Sequence, residues 1–157
     1  MYNYVIINRG DFMIVEFNNE YKDGYVHLLK LLWNDIEDND IEEIINSHIL
    51  NKEKIFIYLK EEEVIGFINV SVRNDYVEGC SSNGVGYIEG IYVCKPHRRN
   101  QIAYKLVNHA ISFFKKMGLT EIGSDTEIEN EMSQIFHKAI GFKEISTIKH
   151  YIMKIGD

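Results

Sequence analysis

The residues that could carry chemistry are concentrated between Glu89 and Ala103. From Gly90 to Thr120 there is no Asp or Glu, yet Lys95, Arg98, Arg99, Lys105, Lys115 and Lys116 all fall there. The centre of this basic island, Val93-Cys94-Lys95-Pro96-His97-Arg98-Arg99-Asn100-Gln101-Ile102-Ala103, reads as a strand, a turn holding the single proline, two arginines and the start of a helix. The opening amides of a helix have no partner within it, and together they carry about half a positive charge. A pyrophosphate can therefore sit on them with Arg98 and Arg99 alongside. The plain alternative is a helix start with solvated arginines. Glu89 stands inside an otherwise apolar strand, and a buried carboxylate is costly unless it is paired, so it requires a partner or a ligand. Acidic groups crowd on either side: Asp35, Glu37, Asp38, Asp40, Glu42 and Glu43 in one cluster, Glu121, Asp125, Glu127, Glu129 and Glu131 in the other. Any single run is explained by a solvated face. A basic junction set between two acidic clusters predicts more, namely an anionic and a cationic ligand held side by side.

These groups need elements to hold them. A short apolar stretch over Met13 to Phe17 precedes a helix over Tyr25 to Trp33, marked by Leu28, Leu29, Leu31 and Leu32. Ile41, Ile44, Ile45 and Ile49 then recur at the spacing of one helical face, with Asp40 and Glu43 as a capping start. Alternation at Ile55, Ile57 and Leu59, a Glu61-Glu62-Glu63 turn and the β-branched run Val64 to Val72 predict a hairpin. After a polar loop, Val85 to Cys94 is apolar enough for a central strand. Ile102/Ala103, Leu106/Val107, Ala110/Ile111 and Phe114 mark a strongly amphipathic helix ending near Gly118. A short strand (Glu121 to Ser124), a helix with Met132, Ile135, Phe136 and Ala139 on one face, and two strands within Phe142 to Ile155 complete the order. The expectation is an α+β fold with a mixed central sheet flanked by helices.

Composition narrows the function. The chain has 157 residues, 17 Lys and Arg against 24 Asp and Glu, and net charge −7. That sign argues against a nucleic-acid partner held through phosphates. No apolar run approaches the roughly 20 residues of a membrane span. Length and the absence of linkers point to one domain over residues 1–157, with 1–12 as an N-terminal extension if translation starts at Met13. Cys80 and Cys94 form no metal-ligand set and no disulfide framework, so free thiols and no metal are expected. Without a secretory leader, a cytoplasmic location is expected.

The stretch Arg98-Arg99-Asn100-Gln101-Ile102-Ala103 resembles the acetyl-CoA motif Arg/Gln-x-x-Gly-x-Gly/Ala of the GCN5-related N-acetyltransferase (GNAT) superfamily, with Gln101 in place of the first glycine. The preceding strand, the long helix and the later Ile140-Gly141-Phe142 fit the same pattern. Across roughly Trp33 to the C-terminus the likeness is closer. Arg73-Asn74-Asp75-Tyr76-Val77-Glu78-Gly79, Gly86-Tyr87-Ile88-Glu89-Gly90-Ile91-Tyr92-Val93, His97-Arg98-Arg99 and Ser124-Asp125 with Asn130 resemble aminoglycoside 6'-N-acetyltransferases.

That resemblance implies a set of roles. The GNAT fold is expected, with acetyl-CoA as cosubstrate and an aminoglycoside as acceptor. The backbone of Ile91, Tyr92 and Val93 would pair with the pantetheine arm; Arg98, Arg99, Asn100, Gln101, Ile102, Ala103 and Tyr104 would hold the pyrophosphate; Asn130 would add a coenzyme contact. Trp33, Tyr76, Glu89 and Asp125 would grip the sugar, because a polyamine needs carboxylates for its ammonium groups and rings for its faces. Trp33 serves the core equally well, and Asp125 equally caps a turn. Asp125 or Glu89 is the expected proton acceptor. His137 stands where many relatives place a tyrosine that protonates the leaving thiolate, and reads equally as a surface histidine. Cys94 is not required as a nucleophile. The resemblance also implies a homodimer with the last strands paired or exchanged. The competing readings are an acetyltransferase for a polyamine or protein amine, a non-catalytic acyl-CoA-binding regulator, and an acidic interaction module.

Overall fold

The computed structural model describes residues 5–6 and 12–156. Of the expected extension over residues 1–12, only the backbone of Val5–Ile6 and Phe12 fall within that range. Two compact units emerge, Met1–Asp125 and Thr126–Asp157. The first contains strands β1 (Val5–Ile6), β2 (Phe12–Glu16), β3 (Glu53–Lys60), β4 (Glu63–Arg73), β5 (Val85–Val93) and β6 (Ile122–Ser124). It also holds helices α1 (Lys22–Leu32), α2 (Asp38–Ile49) and α3 (Ile102–Lys116). The strands form one sheet in chain order, antiparallel throughout except for the parallel β5–β6 pair. This is the expected α+β fold with a mixed sheet flanked by helices.

Strand alternation explains which helix covers which face. Ile55, Ile57 and Leu59 of β3, with Phe67 of β4, pack on Tyr25, Leu28 and Leu29 of α1 and on Ile41 and Ile45 of α2. On the opposite face Phe56 meets the rings of His109 and Phe113 of α3 at 4.6 and 5.4 Å between centroids. Phe67, Ile55, Ile57 and Leu106 are fully buried, each contributing about 1.5–3 kcal/mol over an exposed side chain. The β3–β4 hairpin turns on Glu61 and Glu62 at φ 48° and 70°, a left-handed pair usually given to Asn-Gly. The cap of α2 falls earlier than Asp40/Glu43. Glu37 is the N-cap and Asp40 returns its carboxylate to the Glu37 amide at 3.2 Å, because the helix already starts at Asp38.

Two histidines are built in as neutral groups. His48 Nε2 donates to the Phe17 carbonyl (3.2 Å) and its Nδ1 accepts from the Ile55 amide (3.3 Å), while burial pushes its pKa down against the opposing pull of Glu16. Burial lowers His109 in the same way. The unfolded chain protonates such groups near the ordinary imidazole value of 6.5, so the unfolded state binds more protons than the folded one below that pH. Stability should be full above about pH 6.5 and fall as pH drops through the lowered folded values, read as declining urea midpoints; His48→Gln should flatten the decline.

The second unit contains α4 (Glu131–Ala139), capped by Asn130, whose side chain accepts from the Ser133 amide at 3.1 Å. Its expected apolar face is open, with Met132 and Ile135 both exposed. The two strands expected within 142–155 do not form among the described residues. A strand exists only against a partner's N–H and C=O groups, and no described edge pairs with this segment.

Candidate active site

Strand β5 changes phase halfway along its length. The Gly86 amide donates to Glu121 ahead of β6 (3.0 Å), whereas the Cys94 amide donates to Ile65 of β4 (2.9 Å). Even-numbered residues of a regular strand would all face the same neighbour. The switch occurs where the β4–β5 register slips: Asn69 pairs with Gly90 and Val70 with Ile88, leaving Glu89 as a bulge. By the same alternation the amides of Ile91 and Val93 point away from β4. On that side β6 has already ended, since its parallel pairing covers only Gly86 to Ile88. Among the described residues no strand pairs with this side of β5 beyond Ile88, and a wedge edged by the amides of Ile91 and Val93 opens there, shaped for an extended amide-bearing chain.

The wedge leads to the turn before α3. Lys95–His97 forms a 3-10 turn, and the Arg98 side chain is fastened by its Nε to the Val93 carbonyl at 2.9 Å, with its guanidinium 5.3 Å from the Tyr92 ring centre. Arg99 and Gln101 both adopt left-handed φ, 63° and 60°. Gln101 is the N-cap of α3 but makes no side-chain cap, and the first turn holds no acid. The first amides of α3 therefore keep their full capacity for an anion. The left-handed backbone at 101 also gives the physical reason for a glycine there. Gln101→Gly should stabilise the fold by about 0.5–1 kcal/mol, the relief of left-handed strain less the entropy of a freer unfolded chain; thermal melting would read it as a higher Tm.

Across one face of the sheet the acids form a connected set. Glu89 accepts from Ser71 Oγ (2.5 Å), Arg73 Nε (3.1 Å) and Arg73 Nη2 (2.7 Å). The Arg73 guanidinium lies 3.3 Å over the Tyr87 ring, and the Tyr87 hydroxyl donates to Asp125 Oδ2 at 2.6 Å. The Glu89 hydrogen bonds push Arg73 further up. Burial, then Asp125, pushes the Tyr87 phenol up, so it remains a donor. Glu53, paired with Ser71 across β3–β4, has its carboxyl raised by burial and by Glu89, with Arg73 opposing. Trp33 caps the end of α1, and a Cβ at Gly90 would lie 2.9 Å from its ring. The indole therefore lies against the backbone next to Glu89. Behind the bulge, the fully buried Tyr25 hydroxyl accepts from Asn69 Nδ2 at 2.8 Å.

Of the expected sugar-binding residues, Trp33 lies against Gly90 next to Glu89, and Asp125 joins Glu89 through Tyr87 and Arg73. Tyr76 is not tied to them: it is 80% exposed and its hydroxyl donates to Glu78. Its neighbour Val77 does reach the same area, since Val77 and the Tyr87 ring both crowd a Cβ placed at Gly123. Asn130 and His137 belong to the second unit. Asn130 spends its oxygen on the α4 cap, and His137 Nδ1 donates to the Ser133 carbonyl at 2.7 Å. Arg73 and Tyr87 stood in the quoted stretches without a role. Their signal was alternation, since Ser71 and Arg73 share one face of β4 and Ser71 pairs with Tyr87. No group of His, Cys, Asp and Glu among the described residues could hold a metal ion.

An antiparallel sheet with one parallel edge, a splayed wedge and a helix entrance left open to an anion define an enzyme that works on a coenzyme-bound acyl group, and the chain belongs to the acetyltransferase (GNAT) family, whose sequence profile matches residues 14–142. Among its relatives are proteins named aminoglycoside N(6')-acetyltransferase type 1. That of Acinetobacter haemolyticus is 32% identical over 134 residues, 83% of this chain and 90% of the relative. That of Salmonella typhimurium strain LT2 is 34% identical over 142 residues, 88% and 96%. A solved structure of AAC(6')-Iy in complex with the bisubstrate analogue CoA-S-monomethyl-acetylneamine superposes with a TM-score of 0.83 at 32% identity, covering 92% of this chain and 99% of that one.

Proposed function

We propose that this chain transfers the acetyl group of acetyl-CoA to the 6'-amine of aminoglycoside antibiotics, both substrates being bound at once, and so confers resistance to them. The observation that carries this reading is the bulge at Glu89. It turns backbone amides toward a wedge that ends at the open start of α3, and on the same few residues it gathers Trp33, Glu89 and, through Arg73 and Tyr87, Asp125. Support comes also from the relatives, several of which carry this activity in their names.

In this reading the pantetheine arm pairs with Ile91 to Val93, and the pyrophosphate rests on residues 98–104, with Asn130 adding a contact. Ammonium groups of the sugar are drawn to Glu89 and Asp125, and the rings of Trp33 and Tyr76 pack on its faces. Glu89 is already engaged by Arg73, so Asp125, exposed and accepting from Tyr87 at Oδ2, takes the proton of the attacking ammonium. The freed amine nitrogen bonds to the thioester carbon, the Val93 amide supports the carbonyl oxygen, the adduct nitrogen gives its second proton to solvent, and the C–S bond then breaks to leave the amide and the thiolate. His137 returns a proton to the departing thiolate. Burial pushes the Cys94 thiol up, away from the thiolate that a covalent route would need.

Residues 14–142 of the family match run across the boundary between the two units, and we read both as parts of a single acetyltransferase domain. The exposed Ile145, Ile148, Tyr151, Ile152 and Ile155 support a homodimer that covers the tail, read by light scattering as a mass of two chains. A cytoplasmic site of action, where acetyl-CoA is made, completes the proposal; among the described residues no helix is long and apolar enough to cross a membrane. The deciding experiment is acetyl-CoA turnover with kanamycin-type sugars that bear or lack a 6'-amine, with spermidine and a peptide amine alongside. Rapid turnover confined to the 6'-amino sugars is expected. Faster turnover of spermidine or the peptide, or coenzyme binding with no acceptor acetylated, overturns it.

A further inference from the structure

Three carboxylates crowd the acceptor side of β5. Glu53 comes from β3, Glu89 from the bulge of β5 and Asp125 from the residue after β6. Left to themselves, such acids repel and take up protons, and a protonated acid neither attracts an ammonium nor accepts its proton. One cation stands among them. Arg73, the last residue of β4, holds both oxygens of Glu89 through Nε and Nη2, and its flat face lies 3.3 Å over Tyr87. Tyr87 in turn carries the hydrogen bond to Asp125.

We propose that Arg73 is the positioning residue of the acceptor site: its fork holds Glu89 at the bulge, its stack fixes the ring of Tyr87, and through that ring it aims the carboxylate of Asp125. This rests on the acetyltransferase reading given above. Arginine is required rather than any cation, because only a planar fork can hold a carboxylate with two nitrogens while stacking on a ring. Lysine could supply the charge but neither the second hydrogen bond nor the stack. The charged and titratable groups facing the pair are Glu53 on β3, Tyr87 on β5 and Asp125, each of which feels the charge of Arg73 or Glu89. Removing the guanidinium takes the only positive charge from this set, so the acids should hold protons to higher pH.

The test compares Arg73→Met, Arg73→Lys and Tyr87→Phe with the unaltered protein in two measurements. The first is the kcat/KM profile against pH for a 6'-amino sugar. Arg73→Met should lower kcat/KM by about tenfold to a hundredfold, the effect of losing a charged hydrogen-bond pair, and move the acid limb to higher pH. The KM for acetyl-CoA should stay within about twofold, since Arg73 pairs with Val85, at the opposite end of β5 from residues 91–93. Arg73→Lys should restore the acid limb but not kcat. Tyr87→Phe, which keeps the ring and the stack, should lower kcat through Asp125 alone. The second measurement follows the side-chain carboxyl carbons of Glu89 and Asp125 by NMR and needs no turnover. Both midpoints should rise in Arg73→Met, and that of Glu89 should return in Arg73→Lys. Unmoved midpoints, or an equal loss of kcat in all three variants with an unmoved acid limb and a lowered Tm, overturn the role of Arg73. If the unaltered protein acetylates no aminoglycoside while the midpoints do shift, it is the acetyltransferase reading that fails, and the positioning geometry stands.

Discussion

Asp125→Asn should lower kcat with a 6'-amino sugar by about a hundredfold to ten-thousandfold, the usual contribution of a well-placed general base. The amide is nearly the same shape, and its oxygen can still accept from the Tyr87 hydroxyl, so the 2.6 Å hydrogen bond has a replacement and the end of β6 keeps its position. What disappears is the capacity to take a proton and one negative charge facing the ammonium. The two losses separate kinetically: the lost charge raises KM for the sugar, and the lost base lowers kcat. Coenzyme affinity should be unchanged, because residues 91–93 and the start of α3 are untouched. Isothermal titration with coenzyme A and steady-state rates with the sugar measure both. A variant that retains more than about a tenth of kcat would pass the proton acceptor's role to Glu89 or to water.

Tyr25→Phe should be the most destabilising single-atom change in the site's supporting structure, costing about 1–3 kcal/mol. Tyr25 and Asn69 are 0% and 1% exposed, and they satisfy one another through the 2.8 Å hydrogen bond from Asn69 Nδ2. Removing the hydroxyl takes this partner from a buried amide, and the desolvation penalty of that group is the cost. At this chain length, Tm should fall by about 2–4 °C per kcal/mol. Asn69 faces Gly90 at the bulge, so an altered KM for the sugar with an unaltered KM for acetyl-CoA should accompany the lower Tm. Tyr25→Phe combined with Asn69→Val, which removes both polar groups together, should recover most of the stability. If the single variant melts with the parent protein, the pair contributes nothing to the fold.

Local pattern made much of this protein legible without coordinates. Of the helical repeats, Leu28, Leu29, Ile41, Ile45, Ile102, Leu106, Val107, Ala110 and Phe114 are buried, while Leu31 and Ile49 at the stripe ends are exposed, because a stripe at helical spacing hides from water only along the part that faces the sheet. Alternation around Ile55 and Val64 to Val72 became the β3–β4 hairpin for the same reason. The open start of α3 was legible too, since orphan amides belong to every helix and only acids or capping side chains could have filled this one. Two expectations did not follow from local pattern. The tail over 142–155 reads as strand, yet strands depend on an edge elsewhere in space, and none of the described edges takes it. The cap of α2 lies at Glu37, since where a helix starts is decided by backbone geometry that residue type constrains only weakly.

Residue type and spacing alone determined that the chain folds as helices on a mixed sheet, that the helix after Arg98 starts with no acid in its first turn, and that Glu89 and Asp125 are acids in need of partners. Only the tertiary structure decided who those partners are. The phase change at Glu89, the fork of Arg73 across 16 positions of sequence and the Tyr87–Asp125 hydrogen bond across 38 come from strand register and one slipped pair. Register is a property of two strands at once, and no single segment encodes it.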